Sequence, residues 1–415
     1  MSRNYPDFLS AYLQYSEHTE PPLSFHIWTA LSIMGTALQR KVYLKWGFNT
    51  LYPNMYVVFI GPSACGKGLA MRLGKDLLSG IQTVNLASES ITREALIQDI
   101  KNSESQFIDP SDDLAKYHSS LGVFSEELSV FLGQCNVKFI ADLTDWFDCK
   151  DQWTYRTKGQ GTDSINCVCL SILGASAPDW LRSILPPEAF GGGFTSRIIF
   201  VVEEGKRQRI ADPTIDPKIL AMRKYLIEDL EQINLLAGRM QFHEKTMELY
   251  TKWYLDAEKN VPIKDPTFAG YCERRAVHLL KLSMICSASR SDEKVILPGD
   301  FERAMALLGA VEPKMPRAFM GLGKARYGEM TAIIYEYLMK VKHATTSEIL
   351  DKFHYDLDEY TLSIVMKTLM ARKRVNTSYN SETGETSYLF VDRRENGREE
   401  EDGDGAGVGI SGSVC

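Results

Sequence analysis

The chain has 415 residues, enough for two or three domains with separate cores, and its 44% hydrophobic and 24% charged residues exclude collagen, a coiled coil and wholesale disorder. The formal net charge is -7, from 47 Lys+Arg against 54 Asp+Glu. Six acids and one Arg in residues 395–415 account for -5 of it, so the rest of the chain is nearly neutral. That does not favour a polybasic, histone-like binder and leaves room for a local basic channel.

The eight cysteines form no CxxC pair and no zinc-ligand spacing. Cys167 and Cys169 alternate along an apolar run, as core residues do, and a reducing cytoplasm is the expected compartment. The start, MSRNYPDFLS, lacks an apolar signal core. The apolar stretch 25–38 is too short to span a bilayer and is broken by His26, Thr29 and Ser32, so no membrane role is expected.

In chain order, Phe8, Leu9, Tyr12 and Leu13, then Ile27, Leu31, Met34 and Leu38, predict two helices before residue 46, separated by Glu20-Pro21-Pro22. The run YVVFI at 56–60 is β-branched and aromatic between Pro53-Asn54 and Gly61-Pro62, which predicts a buried parallel strand. Further β-like runs lie at 121–124, 165–173 and 197–202. Strands alternating with helices predict an α/β fold with a parallel, doubly wound sheet. After Gly205, helical periodicity covers 218–236, 243–259, 268–289 and 299–311, with Asp300 as N-cap of the last and a mobile joint expected at 313–323. Residues 325–392 read as three helices and a hairpin, 375–380 with 387–391, the order of a winged helix; Thr345 with Glu348 fits a capping box, and Asp358 caps the third helix. The expected organisation is an N-terminal helical segment (1–46), an α/β core (47–205), a helical lid (206–320), a winged-helix-like domain (325–392) and a disordered acidic tail (393–415).

Gly61-Pro62-Ser63-Ala64-Cys65-Gly66-Lys67 matches GxxxxGK between a strand and a helix opening at Leu69. Glycines let the backbone wrap phosphate with N–H groups inward, the helix N-terminus adds partial positive charge, and Lys67 reaches the terminal phosphates of ATP. A Gly-rich turn with a surface Lys is the plain alternative. Gly68 stands where Ser or Thr would give Mg²⁺ a hydroxyl. Glu126, at the end of the next strand, is the candidate carboxylate for the metal's waters and the attacking water, with Glu127 as substitute; Ser125 occupies the usual place of an Asp. Two exposed acids at a helix start fit the same residues.

The strand 167–173 leads into Gly174-Ala175-Ser176, where Ser176 is a candidate γ-phosphate sensor or an ordinary turn serine. Arg197, after Gly191-Gly192-Gly193, suits either a finger reaching a neighbouring subunit's nucleotide or a structural ion pair. Arg274 and Arg275 fit a lid projecting onto phosphates or a solvated helix face.

Together these pieces resemble the ring-forming helicase branch of the AAA+ ATPases, and most closely a phage and prophage family of helicase-like P-loop proteins. The similarity rests on Phe25-His26-Ile27-Trp28-Thr29-Ala30-Leu31-Ser32, Leu51-Tyr52-Pro53-Asn54-Met55-Tyr56, the GxxxxGK loop, Ser125-Glu126-Glu127-Leu128 and the stretch 170–197. It implies a P-loop ATPase core, a homo-oligomeric ring, hexameric in the family's manner, and work on single-stranded DNA in phage or mobile-element replication, with a primase or other replication protein as partner. It also implies that Trp153-Thr154-Tyr155-Arg156-Thr157-Lys158-Gly159-Gln160-Gly161 is a pore hairpin, whose Arg156 and Lys158 suit DNA phosphates and whose aromatics suit stacked bases; an ordinary exposed hairpin fits them equally. In the C-terminal unit, Arg372, Lys373 and Arg374 end the helix that would enter a groove or, equally, complement its dipole. The expectation is therefore an ATPase and DNA helicase. The alternatives are an ATP-gated DNA-binding or loader protein with slow or no hydrolysis, suggested by Gly68 and Ser125, and a small-molecule kinase built on the same loop.

Overall fold

The strand Tyr56–Ile60 is buried at every position, and it organises the sheet around it. In this computed structural model, which describes residues 3–133, 137–157, 161–178, 193–256, 261–319, 328–354, 357–380 and 385–391, the chain is a mixed α/β arrangement. Tyr56–Ile60 lies between Val168–Ser176 and Ile198–Val202, parallel to both. Leu114–Ser125 adds on the far side of Val168–Ser176, again parallel, and Glu104–Asp109 closes that edge antiparallel. Apolar residues at nearly every position of the inner strands follow from their burial between neighbours and covering helices.

Helix Leu23–Leu38 packs on this sheet, with Phe25 stacked on Phe59 at 4.5 Å. Thirteen of its 16 residues are buried, the composition of an internal helix rather than a surface one. Ala269–Arg290 is similar: from His278 to Ser289 every residue is buried. The hydrophobic core is continuous from Phe8 to Phe319, so the helices after Gly205 share it with the sheet.

Several local expectations change. A second, smaller sheet joins Val42–Trp46 and its hairpin partner Asn49–Leu51 to Gly238–Phe242 and Val295–Ile296. Val42–Trp46 falls in the segment read as helical, and Gly238–Phe242 and Val295–Ile296 fall between the helices read after Gly205; the strands are short, and Val42–Trp46 and Gly238–Phe242 are almost 200 residues apart in the chain, beyond the reach of a local pattern. Asp300 is not the N-cap: it sits three residues into Pro298–Val311 and accepts from the Leu297 N–H at 2.8 Å. The joint expected at 313–323 is ordered as far as Phe319, because Glu312–Phe319 packs on Ile198–Val202 with Phe319 against Phe200 at 4.9 Å.

The chain divides into two compact units, Met1–Met320 and Gly321–Cys415. The second has its own core around Ile334, Leu338, Ile349, Val365 and Leu369. Its order is helix Gly328–Val341, strand His343–Thr345, helices Thr346–Lys352 and Glu359–Ala371, then the hairpin Val375–Asn380 with Glu385–Phe390. Thr345 and Glu348 make the reciprocal capping contacts, and Asp358 accepts from the Thr361 N–H. The tail beyond residue 391 lies outside the described residues. No helix among the described residues is long and apolar enough to cross a membrane.

Candidate functional site

Parallel strands deliver their following loops to one edge of the sheet, and this carboxyl edge is where ligands of such folds bind. Four segments meet there: the 61–67 loop after Ile60, Ser125-Glu126-Glu127, Ser176, and Glu203 after Val202. The loop turns through two left-handed residues, Ala64 at φ +64° and Gly66 at φ +92°. Gly66 also lies under Pro21, whose Cγ would stand 2.8 Å from a Cβ there, so only glycine satisfies both conditions. Among the described residues, no side chain and no backbone group of another element is seen to accept from the backbone N–H groups of residues 63–67. These N–H groups lie at the start of helix Lys67–Leu78, whose positive dipole end favours an anion there.

Lys67 folds back over this loop, its Nζ donating to the carbonyls of Gly61 at 2.6 Å and Pro62 at 2.9 Å. Pro62, Ser63, Ala64 and Leu69 are exposed, whereas Cys65 is buried and anchors the turn. Glu126 lies against the first turn of the helix. A Cβ on Gly68 would meet its carboxylate, with Cδ at 3.0 Å, and Arg72 approaches it at 3.4 Å. Gly68 thus removes a hydroxyl and at the same time makes room for the carboxylate. Glu127 turns aside as the N-cap of Leu128–Leu132 and accepts from the Ser129 hydroxyl. Ser125 is buried and donates to the Glu127 carbonyl.

Ser176 is fully buried, and its hydroxyl donates to the Ala177 carbonyl; its backbone carbonyl is what touches the loop, accepting from the Gly61 N–H at 3.3 Å. Two residues that the sequence did not flag border this edge. Lys314 donates to both oxygens of Glu203 at 2.8 Å, and Arg317 pairs with Glu204. Both lie in the stretch read as a mobile joint, where no pattern marked them.

Arg197, Arg274 and Arg275 all lie away from the loop of their own chain. Ile198 pairs with Tyr56 and Val202 with Ile60, so Arg197 sits at the amino edge, about 13 Å of strand from the loop of its own chain. It is only 5% exposed, and its guanidinium binds Asp148 and the Gly193 carbonyl and faces the Phe147 ring. Its charge is engaged within the protomer rather than presented on a loop. Arg274 lies at the same edge, 3.7 Å from Asp148, and Arg275 makes a bidentate pair with the buried Glu312 at 2.6 and 2.8 Å. Neither projects onto the loop, because a carboxylate closer by holds each one.

The amino edge concentrates buried cations. Lys281, 3% exposed, donates to the Asn54 backbone carbonyl and side-chain oxygen, and burial pulls its ammonium below the usual lysine range. Burial also holds His278 neutral, with a pKa lowered to about 4, its Nε2 3.0 Å from the Ser196 carbonyl.

Gln152–Thr157 and Gly161–Asn166 do form a hairpin, in which Arg156 pairs through its backbone with Thr162. Lys158 lies outside the described residues. The hairpin's aromatics face protein: Trp153 is buried edge-on to Trp146, and Arg93 covers the Tyr155 ring at 4.4 Å. In the second unit Arg372 and Lys373 are exposed, Lys373 in a left-handed conformation just past the helix, while the Arg374 guanidinium faces the Tyr335 ring.

Among the described residues no group of three or more His, Cys, Asp and Glu side chains is assembled that could hold a metal ion. No protein-family model matches the chain, and no curated protein matches it.

Proposed function

We propose that the protein is an ATP-dependent motor of the ring-forming helicase kind, acting on single-stranded DNA, with the 61–67 loop as its P-loop and the surrounding sheet as a P-loop NTPase core. The observation that carries this reading is the meeting at one sheet edge of the glycine-rich 61–67 turn at a helix N-terminus, the Lys67 ammonium and the Glu126 carboxylate. The N–H groups and the helix start bind phosphate oxygens. Lys67 exchanges two carbonyl acceptors for the terminal phosphates, which are stronger acceptors because they are charged. Glu126 takes the proton of the attacking water. The Mg²⁺ that accompanies ATP would be held by Glu126 through water, with no hydroxyl from residue 68.

Motor action on a strand calls for a second copy across the ATP site, and a ring of six is the assembly that the resemblance to phage helicase-like proteins suggests. For Arg197 to serve a neighbour's nucleotide, its guanidinium must leave Asp148. In the second unit, the order of three helices and a hairpin supports a winged helix, with exposed Arg372 and Lys373 available to phosphates. The test is hydrolysis by the full chain with ATP and Mg²⁺, with and without single-stranded DNA, alongside particle sizing. DNA-stimulated turnover and an ATP-dependent increase in size are expected. Absence of stimulation at every Mg²⁺ concentration overturns the motor.

A second reading, an ATP-gated DNA-binding or loader protein with slow turnover, is favoured by Gly68 and by Ser125, whose hydroxyl is tied to the Glu127 carbonyl. In the same assay it gives ATP-dependent assembly without stimulated turnover.

A further inference from the structure

The amino edge of the sheet opens into two clefts of about 470 and 800 Å³ that share Arg40, Thr50, Tyr52 and Asp151 in their walls and so run into one another. The first cleft is cationic. Arg40, Lys150, Arg274 and Lys281 line it against two carboxylates, Asp148 and Asp151, in a chain whose net charge is -7. Lys281 stands at its floor, bonded only to neutral oxygens and lying 4.0 Å over the Phe147 ring. Arg40 is held rigidly at the junction, donating to the carbonyls of Cys149 and Val168, pairing with Asp151 and covering the Tyr52 ring at 4.3 Å.

The second cleft is aromatic and balanced in charge, with Tyr43, Tyr52, Phe107 and Tyr117 in its walls and Tyr117 53% exposed. At the mouth of the first, the hairpin turn after Val42–Trp46 carries Phe48, which is wholly exposed. Exposed apolar side chains occur elsewhere on this surface, but Phe48 stands beside fixed cations, and a flat ring in that setting is what a stacked base and its phosphate need. Gln152 and Asn166, the paired residues at the root of the 152–166 hairpin, line the second cleft, so a strand gripped by that hairpin has this groove directly beneath it.

We infer that the groove holds unpaired nucleotides of a single-stranded nucleic acid, with phosphates at the Arg274 and Lys281 end and bases against Phe48, Tyr52 and Tyr117. The inference rests on the nucleic-acid reading proposed above and adds a path for the strand at the sheet edge opposite the ATP loop. It also gives Arg274 a ligand that the 61–67 loop does not offer it.

The test is fluorescence anisotropy of labelled oligothymidylate and oligouridylate with the full chain, without nucleotide, over a series of salt concentrations. Phe48→Ala and Tyr117→Ala are expected to weaken binding about tenfold each, the loss of one base stack, without changing the salt dependence. Arg274→Gln is expected to reduce the slope of log affinity against log salt by about 0.7, one phosphate contact. Phe48 makes no core contact, so its variant should melt with the wild type and a loss of binding cannot be unfolding. Tighter binding of either strand supports the groove and assigns its sugar preference. If the wild type binds and all three variants match it in affinity and slope, the groove inference is wrong while the motor reading stands. If the variants instead lose a fluorescent ATP analogue and keep the oligonucleotides, the groove serves a neighbouring copy's nucleotide and the inference is overturned. If the wild type binds neither strand, the nucleic-acid reading itself fails.

Discussion

The two edges of the central sheet carry the same kinds of residue in opposite states. At the carboxyl edge, Lys67 rests on two carbonyls, Glu126 is exposed, and Pro62, Ser63 and Ala64 of the loop are exposed. At the amino edge, Arg197, Arg40 and Lys281 are each no more than 5% exposed and are bonded on several sides. Charges that are left hydrated can be offered to a ligand at little cost, whereas a buried, multiply bonded guanidinium is part of the fold until something replaces its partners. Burial and existing partners, more than residue type, decide which basic residues are free to act. At the amino edge they leave the partly exposed Arg274, and Lys281 only where a ligand replaces its neutral oxygens, rather than Arg197 or Arg40.

The largest expected effect breaks the comparison most cleanly. Lys67→Ala should abolish measurable ATP binding by titration calorimetry while shifting stability by less than about 0.5 kcal/mol, as at other surface positions. Arg197→Ala should do the reverse, costing about 3 kcal/mol in denaturant unfolding because it strips partners from Asp148 and the Gly193 carbonyl. If the two variants exchange these phenotypes, the distinction between the edges is wrong.

Acid sharpens it. His278 at the amino edge, together with His26 and His118, is buried with a pKa lowered to about 4, chiefly by desolvation. The unfolded chain therefore takes up the protons first. The stability these groups contribute is complete above about pH 6.5 and is lost as pH falls towards 4, by up to about 1.4 kcal/mol per unit for each histidine. Melting temperature should fall steadily from pH 7 to 5; a flat profile would mean that these rings are hydrated.

The smallest effect concerns Gly68→Ser. A hydroxyl there would complete the usual magnesium ligand, but the new Cβ displaces Glu126. Single-turnover hydrolysis should fall about tenfold, or about 1.4 kcal/mol in the barrier. A rise would mean that the missing hydroxyl, and not the carboxylate's position, limits the wild type.

What the sequence made legible follows the range of the interactions. The strand 56–60, the glycine-lysine loop and the capping of the helices at Thr345 and Asp358 depend on neighbours a few residues away, and all are visible as patterns. The placement of Glu126 beside Gly68 was half visible, as an acid at a strand end; the room that Gly68 makes for it was not. The pairing of Val42–Trp46 with Gly238–Phe242, the capture of Arg275 by Glu312 and that of Arg197 by Asp148 depend on tertiary contacts that leave no periodic trace. The basic groove was equally hidden, since its cations come from residues 40, 150, 274 and 281 and sum to nothing in any local window.

Pro21 on Gly66 has a mechanical consequence. The segment that covers the loop is clamped upstream, where Asp7 accepts from Arg303 and Arg3 binds Asp292 and the carbonyls of Ala288 and Ser289. The first stretch of chain therefore joins the helical layer to the turn at its far end, and because Phe8, Leu9 and Tyr12 bury it in the shared core on the way, a shift of those helices is felt at Gly66.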